Sequence, residues 1–264
     1  MDKMINQGKL LFGIAIIVFG ILNVICAHFQ QAMLPVIPWV PGNQFLAYFT
    51  GVALLMAGLS IAANFRTRLA AILLGMLFLL CVLLLQIARV AALPLDVGVR
   101  TCAFETLAMC GAAFSLAGTL PAEGRYSRVV DSAVRWLMDS GRFLFAISAV
   151  VFGIDHFLVL GLIVSLVPHW IPGGGLFWAY FTGIAFIAAG VSIATKWMAR
   201  WAGILLGTMF LLWFLLLHAP RIVSFPRSHD PDEWSSAFIA LGLGGGSWIC
   251  ARYFQQQANK KTIA

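Results

Sequence analysis

The chain carries the same apolar text twice, and that constrains its fold more than any other feature. Ala47-Tyr48-Phe49-Thr50-Gly51 returns 132 positions on as Ala179-Tyr180-Phe181-Thr182-Gly183. The same offset carries Ala57-Gly58 onto Ala189-Gly190, Ser60-Ile61-Ala62 onto Ser192-Ile193-Ala194, and Leu73-Leu74-Gly75 onto Leu205-Leu206-Gly207. Phe78-Leu79-Leu80 falls on Phe210-Leu211-Leu212, Arg89 on Arg221, and, with a one-residue slip, Trp39-Val40-Pro41-Gly42 on Trp170-Ile171-Pro172-Gly173. Self-similarity over this length means two copies of one supersecondary unit.

Each copy is too apolar for water. Hydrophobic residues make up 61% of the chain and charged residues 10%, against about 25% charged in soluble domains. A helix needs about 20 apolar residues to cross a hydrocarbon core. Four such runs fit each copy: roughly 9–29, 44–63, 68–92 and 98–119, then 141–162, 175–195, 199–219 and 233–251. None alternates with period two, so helices are indicated and barrel strands are not. The fold class expected is an all-α membrane protein with eight transmembrane helices as two parallel four-helix repeats, 1–120 and 141–264, joined by a linker at 121–140.

The net charge of +7 is not a nucleic-acid footprint. With sides alternating along the eight spans, 13 of the 17 Lys and Arg residues fall on one side, and only Arg89, Arg100, Arg221 and Arg227 on the other. The positive-inside rule then puts both termini in the cytoplasm of a multi-pass membrane protein. Four spans is an even number, so both repeats share one orientation, related by a pseudo-two-fold axis along the membrane normal. The first span, preceded by Lys3 and Lys9, lacks a small-residue cleavage site and has its counterpart in mid-chain at Gly141, so it is expected to stay as helix 1. In the linker, Arg128, Asp131, Arg135 and Asp139 share one helical face and Val130, Ala133, Val134 and Leu137 the other. That pattern predicts a short amphipathic helix lying flat at the cytoplasmic interface.

Polar groups at membrane depth cost about 2.5–3.5 kcal/mol per charge on insertion scales, so each needs a reason. Nearly all lie in the outer half. At about 1.5 Å of rise per residue, His156 stands about 22 Å from the cytoplasmic start of its helix, with Asp155 beside it. His218 and Arg221 end the seventh span on the outer side, matched in the first copy by Gln86 and Arg89. Glu105 lies about 10 Å below the outer surface, with Arg100 at the start of that helix; His28 ends the first span and Asn23 lies deeper. An Asp155 or Glu105 carboxylate is placed to neutralise a neighbouring Arg. Over this layer come two uncharged, proline-stiffened elbows, 35–42 and 167–173, centred on Trp39 and Trp170. Polar groups beneath an apolar lid suit a small amphipathic ligand with an oxygen-bearing head, a quinone or a lipid. The candidate ligand-binding residues are therefore His156, His218, Arg221, Arg89, Gln86, Glu105, Asp155, Trp170 and Trp39.

Other chemistries fit less well. No His-x-x-x-His or His-Glu-x-x-His occurs, and bis-His haem needs a facing pair. The five cysteines form no Cys-x-x-Cys and read as small core residues. No Ser or Cys stands beside a base. The glycines follow no strand and open no phosphate-binding turn; they read as helix-packing positions.

The strings Phe152-Gly153-Ile154-Asp155-His156-Phe157, Val167-Pro168-His169-Trp170-Ile171-Pro172-Gly173, Trp178-Ala179-Tyr180-Phe181-Thr182-Gly183 and Leu215-Leu216-Leu217-His218-Ala219-Pro220-Arg221, with Glu233-Trp234 beyond, resemble bacterial DoxX-like membrane proteins. The resemblance covers each half and is closer in the second; the first has Asn23 where His156 stands and Gln86 for His218. It implies four-helix units and an association with quinol oxidase and thiosulfate oxidation systems. The expected function is a quinone- or quinol-binding, redox-associated membrane component with a membrane redox partner. A small-solute transporter and a non-catalytic scaffold or assembly factor are the alternatives.

Overall fold

The structure, a computed structural model, describes residues 2–26, 43–121, 128–224 and 231–263. Among these every regular element is helical and none is a strand. In order they are α1 (Asp2–Cys26), α2 (Asn43–Ala62), α3 (Thr67–Cys81), α4 (Ile87–Ala92), α5 (Val97–Gly118), α6 (Arg128–Leu158), α7 (Leu160–Leu166), α8 (Gly174–Thr195), α9 (Ala199–Trp213), α10 (Ala219–Ser224) and α11 (Pro231–Ile263). A π turn, Val82–Gln86, joins α3 to α4 without a break, and another, Phe214–His218, joins α9 to α10. Such wide turns are rare within α-helices and are frequent at functional sites.

Seven helical stretches are long and apolar enough to cross a membrane: Gln7–Cys26, Gln44–Ala62, Thr67–Ala92, Val97–Gly118, Ser132–Leu158, Gly174–Thr195 and Ala199–Val223. The chain is a multi-pass helical membrane protein. The eighth expected run, 233–251, lies within α11, whose middle is rich in Gly and Ser and therefore less apolar. Residues 239–251 of this helix are all buried, as are 108–117 of α5, and these two helices touch along the centre of the bundle. On α2, α3, α8 and α9 one face is buried and the other presents large apolar side chains outward: Phe49, Met56, Leu73, Leu80, Phe181, Ile184, Leu205 and Leu212 are all exposed. Small residues at the helix contacts and bulky apolar side chains on the outer faces are the arrangement that lipid favours, because helices there gain from close packing and not from escaping water.

The close approaches come in similar pairs. A Cβ on Gly141 of α6 would lie 2.7 Å from the Gly111 carbonyl oxygen of α5, and one on Gly8 of α1 would lie 2.8 Å from the Gly245 carbonyl oxygen of α11. On α2, Gly51 sits against Gly20; on α8, Gly183 sits against Gly153. Gly75 receives the ring of Phe114, and Gly207 that of Trp248. The short turns before α3 and α9 also match in backbone shape: Asn64 and Arg66 have φ of 60° and 45°, Lys196 and Met198 of 67° and 50°. Non-glycine residues rarely adopt such torsions, so both turns are tightly specified.

Two expectations are corrected. The 127–139 segment does not form a separate flat helix: from Arg128 it is the first part of α6, which runs unbroken to Leu158. No proline interrupts it, and Gly141 is held inside the helix by the backbone of α5. Its apolar side covers the bundle, with Met138 buried and in contact with Arg68. The span expected to reach 162 stops at Leu158, where Val159 (φ −116°, ψ 40°) turns the chain into α7. The elbow 35–42, with Trp39, and also His28 and Arg227, lie outside the described residues.

Side chains tie off the ends of the helices. Asp96 N-caps α5 through a carboxylate oxygen that accepts the Val99 N–H at 3.0 Å. Buried Arg142 of α6 donates to the carbonyls of Ile193 (3.3 Å) and Ala194 (3.0 Å), two of the last carbonyls of α8, whose helical partners have run out. Tyr253 donates to Asp139 at 2.5 Å. Replacing Arg142 by methionine keeps the bulk and removes both charge-assisted bonds, so it is expected to cost about 1.5–3 kcal/mol. A thermal melt in detergent checks this; an unshifted midpoint would mean that the carbonyls are satisfied without the guanidinium.

Candidate functional site

Helices α8 and α9 leave a large groove between them, enclosing about 620 Å³. Trp197 and Trp201 line it at the end of the short turn, and Pro168 and Ile171 of the elbow line the other. Its walls are almost wholly apolar, and the hydroxyls they hold at Thr182 and Thr208 are spent on the backbone carbonyls of Trp178 and Ile204. The elbow is held over its end by a bond from Trp178 Nε1 to the Pro172 carbonyl at 2.8 Å. Gly173 and Gly174, with φ of 97° and 74°, take the chain from the elbow into α8 through torsions that a side chain would resist.

His156 lies behind this groove. Its ring stacks on Trp213 (centroids 5.5 Å apart, planes at 20°), and Trp213 lines the groove. Phe186 packs on it at 5.1 Å. The ring is 6% exposed. Nδ1 is 2.7 Å from the Phe152 carbonyl oxygen, and Nε2 is buried with no hydrogen-bond partner among the described residues. An unpaired polar atom in such surroundings is costly and needs an explanation.

Asp155, next to it, points elsewhere. Its Oδ1 accepts from Arg100 Nε at 2.9 Å and also from Arg100 Nη2; its Oδ2 accepts from Thr101 Oγ1 at 2.9 Å. The carboxylate thus joins α6 to α5 and neutralises one of the Arg residues, as the sequence allowed.

The second histidine belongs to another cluster. His218 Nδ1 is 2.9 Å from Glu233 Oε1, and Arg221 Nη1 is 4.0 Å from Glu233 Oε2. The π turn ending at His218 brings that side chain to the start of α11. Gln86, at the end of the matching π turn, is fully buried and donates to Thr106 at 3.4 Å. Glu105, half-buried on α5, is the chain neighbour of Thr106, and Arg89 follows Gln86 by three residues. Trp170 is 67% exposed at the elbow, where Pro168 and Ile171 face the groove in its place.

The structure thus places His156 behind the groove, His218 and Arg221 at Glu233, and Gln86 on Thr106, with Arg89 and Glu105 nearby in sequence. Asp155 is tied into a structural ion pair. Three residues outside the expected set contact these side chains. Trp213 sits five residues before His218 with nothing in the sequence to mark it. Thr101 is adjacent to Arg100. Glu233 carried a signal: a carboxylate at the start of an apolar run, on the side where His218 and Arg221 end theirs. Comparison with known proteins finds no matching family model, no matching curated protein and no matching solved structure.

Proposed function

We propose that this chain is a DoxX-like, redox-associated component of the bacterial inner membrane that binds a quinone or quinol, its isoprenoid tail in the α8–α9 groove and its headgroup at the level of His156. The observation carrying this reading is a buried histidine Nε2 with no partner among the described residues, on a ring that stacks against a wall of a 620 Å³ apolar groove. Ligand sites for amphiphiles of this kind are apolar clefts with few, well-placed polar groups.

The proposal includes eight spans, with α11 the eighth, arranged as two parallel four-helix repeats with both termini cytoplasmic. Supporting it are the matched glycine contacts and the π turns, which start at Val82 and Phe214, 132 positions apart like the sequence repeat. In that orientation the elbow, His218, Arg221 and Glu233 lie toward the outer surface. A hydrogen-bonded His–carboxylate pair there suits passage of a headgroup proton to the outer side.

The test is native mass spectrometry of the protein extracted from its membrane in mild detergent, beside Ala188→Trp. Ala188 is exposed and lines the groove, so the indole fills the slot without entering the core. The expected result is a near-stoichiometric quinone in the native protein and at least a tenfold loss in the variant. Phospholipid alone, or equal quinone in both, would sink the reading.

A further inference from the structure

We infer that the site at His156 selects the reduced quinol over the quinone, because the nitrogen it offers can only accept a hydrogen bond. The inference rests on the quinone or quinol reading above and adds to it the redox state of the ligand.

A carbonyl oxygen accepts and cannot donate, so the 2.7 Å contact between Nδ1 and the Phe152 carbonyl places the hydrogen on Nδ1. In a neutral imidazole the second nitrogen is then a bare lone pair. Among the described residues the carboxylate nearest the ring in the chain is already paired: both oxygens of Asp155 are engaged by Arg100 and Thr101, and the rings of Phe186 and Trp213 pack on the imidazole. Nε2 is therefore a buried acceptor lacking a donor among the described residues, and the fixed tautomer is what turns a general polar contact into a selective one.

The two redox forms of the ligand differ in just this respect. A quinone carries two carbonyl oxygens, both acceptors, and brings a lone pair toward a lone pair. A quinol carries two hydroxyls and donates. Trp213 stands between ring and groove, so a headgroup binding at Nε2 requires the indole to move aside. One satisfied hydrogen bond, on a group otherwise left unpaired, corresponds to about a tenfold difference in affinity.

The experiment measures binding of three short-tailed ligands to the full chain in lipid nanodiscs under anaerobic conditions: a ubiquinol, its quinone, and the quinol's dimethyl ether. The ether keeps the aromatic ring and has no hydrogen to donate. The quinol is expected to bind about tenfold more tightly than either of the others. In His156→Phe, which preserves the stacked ring, the three are expected to bind alike. Equal binding of all three by the native protein, or tightest binding of the quinone, overturns the inference and leaves the quinone or quinol reading standing. A quinol preference that persists in His156→Phe overturns the assignment to His156. Binding of none of the three overturns the inference together with the reading on which it rests. The comparison within the native protein needs no variant, so a poorly folding His156→Phe does not remove the test.

Discussion

Leucine in place of Gly111 is expected to leave no protein that elutes as a folded, monodisperse species from mild detergent. A Cβ at this position would lie 2.5 Å from the Gly141 carbonyl oxygen and 2.7 Å from the Phe145 amide nitrogen. Both are backbone atoms of α6, so no rotamer change relieves the clash; the helices must separate. Overpacking a core commonly costs about 1–3 kcal/mol, and alanine is expected to fall at the upper end of that range. Leucine adds three more carbons to the same gap. Separation also unseats Phe114 and Phe145, both fully buried beside it, and in lipid such packing is most of what holds helices together. Gly161→Leu is the control: nothing lies within 4 Å of a Cβ there, so its elution profile should match that of the native protein. A native profile for Gly111→Leu would mean that α5 and α6 do not pack this closely.

Second in size is the ion pair between α5 and α6. Asp155→Leu removes the carboxylate from Arg100 and Thr101 together. The side chains of Arg100 and Asp155 are 23% and 6% exposed, so the guanidinium left behind is partly desolvated with nothing to neutralise it. Breaking such a pair from one side costs about 3–5 kcal/mol. Arg100 stands one turn into α5, where a long side chain can reach the interface, which argues for the lower end. Replacing both partners by leucine removes the stranded charge, and the double variant is expected to recover most of the loss. Thermal unfolding of the two single variants and the double one decides this. A double variant no more stable than Asp155→Leu would show that the pair's geometry, and not the stranded charge, accounts for the loss.

The long helices were legible because crossing hydrocarbon demands unbroken apolarity, and that demand is written residue by residue in the sequence. The short turns at 64–67 and 196–199 were legible for the complementary reason: charged and small residues interrupt the apolar text. Partnerships between helices were harder to read. Arg100 and Asp155 are 55 residues apart, and their meeting depends on how α5 and α6 are rotated about their axes, a matter of glycine contacts such as Gly111 on Gly141. The same holds for His156 on Trp213. The π turns had no sequence signature at all; Val82-Leu83-Leu84-Leu85-Gln86 reads as ordinary helix. The amphipathic 127–139 segment misled because a helix covering the end of a bundle and one lying on a membrane need the same two-faced pattern.

The groove between α8 and α9 is flanked by exposed apolar side chains, Phe181, Leu205 and Leu212 among them. In a membrane those side chains would lie against lipid tails, so the groove is flanked by hydrocarbon. A molecule bound there arrives by two-dimensional diffusion within the leaflet, and the quantity that sets occupancy is its mole fraction among the lipids. Titrations reported against aqueous concentration would therefore rank ligands by how well they partition, and detergent, by diluting the leaflet, would act as an apparent competitor while touching no residue of the site.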